Sequence, residues 1–416
     1  MNFAPTPEQA RWRDIAEAFA RDVVAPRAAE AERTGVFPVD LVPRMGELGL
    51  LAGPVDPALG GSGMDYVSFA LVYEALGYVD ASVRGFLAVH GGLVTLCLRD
   101  HGTPEQQRAW IPRLARGQAI GCYCLTEPGA GSDAAAIATT ARRGTDGYSL
   151  SGRKTWITNG TIADLALVFA RDPELPGDKP HRQISAFLVP TDTPGFNRLP
   201  MPGRELGHRG ADHAVIDLAD CRVPETALLG ERGGGFRVAM AALDHGRLGV
   251  AAGAVGLGRA CVDASTAFAR RRRAFGQRIG DFGQIQAALA DAATDMAAAA
   301  LLTYRAAWLK DRGEPSKRAT SMAKLFATEA ALRAADQAVL IHGGRGYSSD
   351  YVVERHWRDS KGLQIYEGTS HIQRLVIARD LLGRDDAEPA RPTDAEPARP
   401  TQTAPGASTG VASTPL

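Results

Sequence analysis

The C-terminal part of the chain contains the stretch Gln364-Ile-Tyr-Glu-Gly-Thr-Ser-His-Ile-Gln-Arg374, around which the rest of the sequence can be arranged. Thr369 or Ser370 can cap the helix that the apolar spacing after them predicts, so Glu367 lies on a loop just before a helix N-terminus. A carboxylate on such a loop can be desolvated, and desolvation raises the pKa of a Glu towards that of a useful general base. A solvated turn residue is the alternative interpretation, and this stretch alone leaves both open.

The region that contains this stretch, residues 231–384, has the periodicity of long helices. Gln284–Arg312 contains neither Gly nor Pro and is rich in Ala and Leu, and Arg318–Leu340 has the same character. Long antiparallel helices of this kind pack as a bundle. We therefore predict a C-terminal helical bundle over residues 231–384.

Short alternating segments separated by Gly or Asn-Gly occupy residues 120–230. Lys154–Gly160 and Ile184–Val189 are examples, and the pattern is typical of strands joined by turns. Because the strands follow one another closely and no helical segment intervenes, we expect an antiparallel sheet. The prediction for the middle of the chain is a small antiparallel β domain.

The two ends of the chain differ in character. Residues 1–119 have helical spacing throughout, and Thr6-Pro-Glu-Gln9 and Thr103-Pro-Glu-Gln106 can each form a capping box with Pro at the first helical position. In residues 385–416, the octet Asp-Ala-Glu-Pro-Ala-Arg-Pro-Thr occurs twice in tandem, at 386–393 and 394–401. Such a composition cannot bury a core, so we expect an N-terminal helical domain and a disordered tail.

Composition gives no argument for several classes of partner. Lys plus Arg and Asp plus Glu number 47 each, and a formal charge of zero gives no argument for a nucleic-acid partner. No uninterrupted apolar run approaches the ~18 residues that span a bilayer, and Met1–Glu8 lacks the basic and apolar regions of a signal peptide. The five cysteines are scattered, and Cys122 and Cys124 are too close for the usual zinc pair. We expect a cytoplasmic protein with reduced thiols and neither a metal site nor a membrane partner.

Two segments of the β region have side chains suited to a cofactor site. Thr126–Asp133 is a Gly-rich turn in which backbone amides can approach an anion, but it lacks the features of a P-loop or a dinucleotide fingerprint. Trp156 and Thr158 lie two residues apart on a predicted strand, so they share a face and can stack on and hydrogen-bond a planar cofactor. An ordinary turn and a buried core Trp are the alternatives.

Two further segments lie in the helical region. The run Arg270–Arg273, followed by Phe275, has the forked donors of a pyrophosphate clamp, or is a solvated helix end. Gly343 and Gly344 break the helical pattern, which suits a close approach of the backbone to a ligand or another subunit, or a plain helix C-cap.

Six segments, in this order along the chain, resemble motifs of the acyl-CoA dehydrogenase family of flavoproteins. They are Tyr123–Asp133, Lys154–Gly160, Leu243–Arg247, Arg272–Gly276, Gly343–Gly346 and Ile365–Ser370. The resemblance covers roughly residues 5–383. Each motif alone is moderately specific, and the six together on a helix–sheet–helix plan are a strong match.

The resemblance implies a mainly α fold with a β domain: an N-terminal helical domain, a middle β domain and a C-terminal four-helix bundle, assembled as a homotetramer. It also implies FAD, bound between the β domain and the bundle and completed by a neighbouring subunit. From one subunit, the flavin or its phosphates would contact Tyr123, Leu125, Thr126, Gly131, Ser132, Trp156, Thr158 and Thr369. The neighbour would supply Arg272, Phe275, Gly343 and Gly344.

The resemblance further implies the reaction. Glu367 would remove the α-proton of an acyl thioester, flavin N5 would accept the β-hydride, and reduced FAD would pass electrons to an electron-transfer flavoprotein, in fatty acid metabolism. The backbone N–H of Glu367 and an FAD ribityl hydroxyl would hold the thioester carbonyl. Ser132, Asp244, Arg247 and Gly368 would lie beside the substrate, with Asp244 and Arg247 supporting the base loop. One subgroup of the family places its base next to the position of Arg247; that neighbour is Gly246 here, which leaves Glu367.

The acyl group is less determined by sequence. Arg84 resembles the residue with which glutaryl-CoA dehydrogenases hold a substrate carboxylate, and also occurs in relatives that act on polar acyl groups carried on acyl-carrier protein. Ala88 stands where the glutaryl type has a hydroxyl. A short or branched aliphatic acyl-CoA is the main expectation, a dicarboxylic or polar acyl group is the alternative, and Arg84 can also be a surface or interface charge. A non-catalytic flavin- or thioester-binding scaffold and an oxidase that uses oxygen directly are the other functions considered.

Overall fold

Helices build the first third of the chain in the computed structural model, which describes residues 3–176 and 179–383. Both predicted capping boxes are present: Thr6 and Thr103 each accept a hydrogen bond from the backbone N–H three residues later, and the side-chain oxygen of the glutamine there accepts one from the threonine N–H. Two π-helical segments, Ala20–Val24 and Ala88–Thr95, join successive helices. The helices are α1 (Pro7–Phe19), α2 (Ala25–Thr34), α3 (Leu41–Glu47), α4 (Tyr66–Val79), α5 (Ala81–Leu87), α6 (Leu96–His101) and α7 (Pro104–Ala115).

A sheet occupies the middle of the chain. Its strands are β1 (Gly121–Cys124), β2 (Thr140–Arg143), β3 (Tyr148–Thr158), β4 (Leu165–Arg171), β5 (Ile184–Pro190), β6 (Phe196–Pro200), β7 (His213–Val223) and β8 (Leu228–Leu229). The strand order is β6-β7-β3-β2-β4-β5-β8, and β1 pairs with β4. Strands β4 and β5 are buried along almost their whole length, so the sheet contributes a large part of the core.

The sheet is mixed and not antiparallel throughout, so the prediction of an antiparallel sheet holds for most but not all of its strand pairs. Strand β1 runs parallel to β4, with Gly121 opposite Leu165, and β2 also meets β4 in parallel through Thr140 and Arg171. The physical reason is that β1 enters the sheet directly from the helical domain. The β2–β3 hairpin then intervenes before the chain returns as β4, so the two strands point the same way. The other pairings within the sheet are antiparallel.

The last part of the chain is a bundle of long helices. They are α8 (Gly235–Arg271), α9 (Gly283–Asp311), α10 (Lys317–His342), α11 (Val352–Leu363) and α12 (Ser370–Leu381), with the two-residue strands β9 (Arg273–Ala274) and β10 (Gln277–Arg278) between α8 and α9. Helix α8 packs against α4, α9 and α10, and so joins the two helical regions. Small side chains line its buried side and that of α10, which lets the helix axes approach closely. The mainly α architecture with a middle β region is therefore confirmed.

Two helical stretches are long and apolar enough to cross a membrane by length and composition alone: Ala81–His101 and Gly283–Asp311. Neither is an uninterrupted apolar run, because Arg84 lies in the first and Asp295 in the second. The first stretch comprises α5, a π-helical segment and α6, and it is mostly buried, as a core helix is. The second is α9, most of which is exposed on this single chain. The predicted disordered tail, residues 385–416, lies outside the described residues.

Candidate active site

The loop between α11 and α12 carries Glu367, as the sequence predicts. Thr369 is the residue that caps α12, and its hydroxyl accepts a hydrogen bond from the Ile372 N–H at 3.3 Å. Glu367 has a φ of 55°, a left-handed conformation that costs a residue with a Cβ roughly 1–2 kcal/mol. A strained backbone at a titratable residue is a feature typical of functional sites.

The side chain of Glu367 points from this loop onto α8. The residue as a whole is half-buried, but its Oε2 atom is inaccessible and has no hydrogen-bond partner among the described residues. Helix α8 receives it at Gly246, where an added Cβ would lie only 1.8 Å from Oε2. Glycine at this position is thus what lets the carboxylate occupy its place.

Three cations surround the Glu367 carboxylate. Burial raises the pKa of Glu367 to about 7, and Arg84, Lys324 and Arg247 act against that shift because each favours the ionised form. The net result is a carboxyl group that exchanges its proton near neutral pH. This is the property required of a general base.

Arg84 on α5 is one of these cations, and it is only 1% exposed. Its Nη2 donates to the hydroxyl of Tyr366, and its guanidinium carbon lies 5.4 Å from the centre of the Tyr366 ring. The Arg84 side chain passes over α8 at Gly253, where an added Cβ would lie 2.7 Å from Cδ. Its Nε and Nη1 have no hydrogen-bond partner within residues 3–176 and 179–383. Arg84 is therefore a buried, partly unpaired cation next to the base, and not a surface charge.

The predicted substrate residues on α8 have different surroundings. Arg247 is buried and its Nε donates a long hydrogen bond, 3.4 Å, to the backbone carbonyl of Glu367. Asp244, one turn earlier, forms an ion pair with Lys310 of α9. The structure thus brings Arg247 to the base loop, as expected. The Asp244 carboxylate instead pairs with a residue of α9. Gly368, with a φ of 93°, belongs to the base loop itself.

The Gly-rich loop and β3 form a second group of predicted site residues. Tyr123 and Leu125 are buried at the end of β1, and the Thr126 carbonyl accepts a hydrogen bond from the Thr155 N–H at 3.0 Å. Beyond them, Gly129 and Gly131 have no atom within 4 Å of an added Cβ, and Ser132 is exposed. The loop therefore presents an open, backbone-lined surface beside β3.

A buried ion pair fixes the shape of this loop. The Lys154 ammonium lies 2.7 Å from a Glu127 carboxylate oxygen, and both side chains are buried. The Glu127 carboxylate also accepts hydrogen bonds from the N–H groups of Ala138 and Thr139, at 2.6 and 3.0 Å. The loop is thus tied at one point to β3 and at another to the segment that leads into β2.

Trp156 and Thr158 lie on the outer side of β3 next to this loop. The register between β3 and β7 shifts after Lys154, and Trp156 has a φ of 58° and is 54% exposed. This β-bulge turns the indole out of the core, so the alternative of a buried core Trp does not hold. The indole thus presents a flat aromatic surface to solvent, and Thr158, two residues later, is half-buried.

Tyr123 links the two groups of residues. Its hydroxyl donates to the Ala239 carbonyl at 3.3 Å. Burial raises the pKa of Tyr123, the Glu367 carboxylate raises it further, and Arg247 lowers it. Tyr123 therefore ties the strand that leads into the Gly-rich loop to α8, the helix that also receives Glu367 at Gly246.

The remaining predicted cofactor residues lie elsewhere. Arg272 follows the last residue of α8, 25 residues after Arg247, a distance of roughly 37 Å along a helix. Phe275 is 95% exposed. Gly343 and Gly344 are exposed at the end of α10, and the neighbouring His342 stacks on Phe268 of α8 with ring centres 4.2 Å apart.

This end of the bundle has a cavity of about 500 Å³, lined by Phe268, Arg271, Arg272, Arg273, Arg345 and Tyr351. One chain thus holds the predicted site residues in two separate places.

These surroundings fit a dinucleotide cofactor. The space above Gly129 and Gly131, the outward Trp156 and the Thr158 hydroxyl suit a planar ring system. The Ser370 hydroxyl is buried without a hydrogen-bond partner in the described part of the chain, at the N-terminus of α12, where an anion is favoured. The arginines at the far end of the bundle suit a pyrophosphate.

Sequence reasoning missed three residues of the site. Lys324 and Gln373 are completely buried and hold the base loop, and Tyr73 packs against Gly249 of α8 with its hydroxyl on the Leu87 carbonyl at 2.9 Å. The signal for Lys324 was available: a lysine stands among small residues at core spacing on a predicted helix. Buried lysines are rare unless they are paired or functional.

Comparison with known proteins agrees with this geometry. The acyl-CoA dehydrogenase N-terminal domain matches residues 6–118, the middle domain residues 122–221 and the C-terminal domain residues 233–382. The human mitochondrial short-chain specific acyl-CoA dehydrogenase is 43% identical over 364 residues, which is 88% of this chain and 87% of that protein.

Solved structures agree as well. Butyryl-CoA dehydrogenase of Megasphaera elsdenii superposes with a TM-score of 0.89 at 35% identity, covering 92% of this chain and all of that one. Glutaryl-CoA dehydrogenase of Mycobacterium smegmatis, solved with FADH2, superposes with a TM-score of 0.86 at 30% identity and covers 91% of this chain and 96% of that one. Three domain matches along the chain, these relatives and the site geometry lead to one conclusion: the chain belongs to the acyl-CoA dehydrogenase family and is an FAD-dependent oxidoreductase.

Proposed function

We propose that the protein catalyses the α,β-dehydrogenation of an acyl thioester to the 2-enoyl thioester, with Glu367 as the base. The observation that carries this proposal is the Glu367 carboxylate itself. It is buried and partly unpaired, and burial raises its pKa to about 7. An α-proton of a thioester is too weakly acidic for a solvated carboxylate of ordinary pKa, so a desolvated base is required.

The chain supplies the groups that this reaction needs besides the cofactor. The Glu367 carboxylate takes the α-proton as the Cα–H bond breaks. The backbone N–H of Glu367 has no acceptor among the described residues, so it is free to donate to the thioester oxygen as negative charge develops there. FAD, when bound, supplies the acceptor for the hydrogen that leaves Cβ with its electron pair.

The residues that hold FAD come, in this proposal, from two copies of the chain. Tyr123, Leu125, Thr126, Gly131, Ser132, Trp156, Thr158 and Thr369 serve one end, and Arg272, Phe275, Gly343 and Gly344 of a second copy serve the other. The separation of roughly 37 Å along α8 supports this division. So do the exposed apolar side chains Leu301, Trp308 and Leu340 on α9 and α10, which a second copy would cover. A homotetramer, which the family resemblance implies, is proposed together with this division.

A short aliphatic acyl-CoA is the substrate we favour. The human relative is named short-chain specific, and the Megasphaera elsdenii structure is that of a butyryl-CoA dehydrogenase. An electron-transfer flavoprotein as electron acceptor and a role in fatty acid metabolism are proposed with it. Five free cysteines, all buried, are consistent with a cytoplasmic location, which we also propose.

Arg84 favours a second candidate substrate, an acyl group that carries a carboxylate or another polar group. Two nitrogens of the buried Arg84 guanidinium have no partner in the described part of the chain, which is costly unless a ligand satisfies them. A glutaryl-CoA dehydrogenase is among the structural neighbours. The Glu367 charge offsets part of the cost of burying Arg84. Because of this, a buried Arg84 is also compatible with an aliphatic substrate, which offers it no partner.

Anaerobic mixing of the FAD-loaded protein with a set of thioesters tests the proposal. The set contains butyryl-, isobutyryl-, isovaleryl-, octanoyl- and glutaryl-CoA and one acyl-carrier-protein thioester, and the visible flavin band is followed. Rapid bleaching by an aliphatic member is the expected result. Bleaching by glutaryl-CoA or the carrier-protein thioester alone would favour the second candidate, and bleaching by none would overturn dehydrogenation of these thioesters.

Arg84→Gln distinguishes the two substrates. The substitution also changes the charge around Glu367, so the ratio of kcat/KM values for glutaryl-CoA and butyryl-CoA is the quantity to compare. If Arg84 binds a substrate carboxylate, that ratio falls by about 10²-fold, as expected when one partner of a buried charge pair is removed. An unchanged ratio would leave Arg84 as a counter-charge of Glu367.

A further inference from the structure

Lys324 is a lysine buried in the bundle. It lies on α10 and is completely inaccessible, among small buried residues that include Thr320, Ala323, Ala327 and Thr328. No carboxylate lies within ion-pair distance of its ammonium in the part of the chain that the structure describes. An ammonium in such surroundings is costly unless hydrogen bonds compensate for lost water.

The hydrogen bonds of Lys324 go to the base loop. Its Nζ donates to the Tyr366 carbonyl at 2.8 Å and to the Gly368 carbonyl at 2.5 Å. These are the two carbonyls on either side of Glu367. One ammonium therefore joins the residues that flank the base.

Gln373 and Arg247 complete the same arrangement. The Gln373 Nε2 donates to the Gly368 carbonyl at 2.9 Å and makes a longer bond, 3.4 Å, to the Glu367 carbonyl, which Arg247 also approaches. All three carbonyls of the turn thus have side-chain donors. With its carbonyls held in this way, the turn keeps Glu367 in the left-handed conformation and leaves its N–H without an acceptor from residues 3–176 and 179–383.

Charge reinforces this geometry. The groups that face Lys324 are Glu367 on the loop, Arg247 on α8 and Arg84 on α5. Burial lowers the pKa of Lys324 and Glu367 raises it, whereas the two arginines lower it. In return, the Lys324 ammonium favours the ionised form of Glu367.

We propose that Lys324 is a positioning residue for the base: its ammonium holds the two carbonyls that flank Glu367, and so fixes the carboxylate and its backbone N–H before substrate binds. The proposal rests on the proposed function, since it assigns Lys324 a role through Glu367. It predicts that the base loop is formed in the absence of substrate. It also predicts that Lys324 acts on the proton-transfer step and only weakly on substrate affinity.

Lys324→Met tests the proposal, with Lys317→Met as the matched control. Lys317 begins the same helix and is exposed. We expect the rate of flavin reduction by a thioester substrate to fall by about 10²-fold in K324M, the size of effect typical of a misplaced catalytic group, and KM to change little. The acid limb of the pH profile should move to higher pH, because Glu367 loses a nearby cation. Neither change is expected in K317M.

A second readout does not depend on turnover. Hydrogen exchange of the amides of residues 364–371, measured without substrate, should be faster in K324M than in the wild type and K317M, since the loop loses the two hydrogen bonds that Lys324 donates to its carbonyls. Where K324M yields no folded protein, K324Q, which removes the charge and shortens the side chain, takes its place. Unchanged exchange, or a reduction rate that returns to the wild-type value at high pH, would overturn the positioning role. A wild-type protein that no thioester reduces would instead contradict the proposed function, while the exchange experiment still tests the loop.

Discussion

The base loop and the arginine-rich turn, residues 272–276 after α8, are built in opposite ways. The base loop, residues 366–369, is held by Lys324, Gln373 and Arg247 of the same chain, and its carboxylate points inward. The turn after α8 points its side chains outward: Arg272 is exposed and Phe275 is 95% exposed. The base loop has its supporting contacts within a single chain, whereas the arginine-rich turn makes few contacts with the rest of its chain.

This difference separates two kinds of functional residue. A base must be desolvated, so its surroundings must be present in the folded chain. A residue that completes a cofactor site of another copy needs a partner, and in a single chain it lies in solvent. Exposure of Phe275 is thus expected under the proposal of a shared FAD site, whereas exposure of Glu367 would have argued against its role.

The largest expected effect concerns the base loop, whose supporting contacts lie within one chain. Glu367→Gln removes the base but keeps the shape of the side chain, so the rate of flavin reduction by substrate should fall by at least about 10²–10⁴-fold. Stopped-flow absorbance under anaerobic conditions measures it, and the flavin content should equal that of the wild type. Glu105→Gln, an exposed carboxylate on α7, serves as the control. Rapid reduction of E367Q would remove Glu367 from the mechanism.

The Gly-rich loop is a second region expected to be complete within one chain. Lys154→Met leaves the buried Glu127 carboxylate without its cation, and breaking a buried pair in this way costs about 3–5 kcal/mol. Urea unfolding followed by tryptophan fluorescence measures the loss. The adjacent Arg153 forms an exposed pair with Asp217, so Arg153→Met should have little effect. Equal destabilisation by the two substitutions would show that the buried pair does not hold the loop.

The arginine-rich turn should respond differently. Arg272→Gln is expected to leave the stability of the chain unchanged and to weaken FAD binding by about 10–100-fold, the value of one or two charge-assisted hydrogen bonds. Flavin fluorescence during titration of the apoprotein measures the affinity. Arg270, in the same run of arginines, does not line the cavity and is the control. If R272Q and R270Q bind FAD equally well, the turn does not contact the cofactor.

The smallest expected effect is the pH dependence of the wild type. Glu367 must be ionised to act as a base, and burial raises its pKa to about 7. Activity is therefore present above pH 7 and is lost as the pH falls, by about tenfold in kcat/KM between pH 8 and pH 6. A profile that stays flat down to pH 5 would indicate a carboxylate of ordinary pKa and would contradict the burial of the base.

Much of this site could be predicted from sequence because its residues lie in short local patterns. Glu367 is next to a glycine and a helix cap, and Trp156 and Thr158 are two residues apart on one strand. Lys324 and Gln373 were missed because their function depends on contacts made across the bundle, between α10, the base loop and α12. The spacing of residues along one helix does not indicate which loop packs against that helix.

The sheet shows the same limit. The strand segments were recognised from alternation and turn residues, which are local features. The parallel pairing of β1 with β4 was missed because pairing is set by where the chain enters the sheet after α7, which no local pattern records. Burial of Arg84 was also not predicted, since it depends on the absence of a side chain at Gly253 of another helix.

The most direct test of the account is whether the base and the arginine of one site come from different copies. Differently tagged E367Q and R272Q chains are produced together, and the hybrid that carries both tags is isolated. Flavin reduction by substrate is then measured at an FAD concentration too low to load R272Q alone. In the hybrid, Glu367 of the R272Q chain meets Arg272 of the E367Q chain, so a substantial fraction of wild-type reduction is predicted. A hybrid no more active than either parent would contradict a site divided between copies.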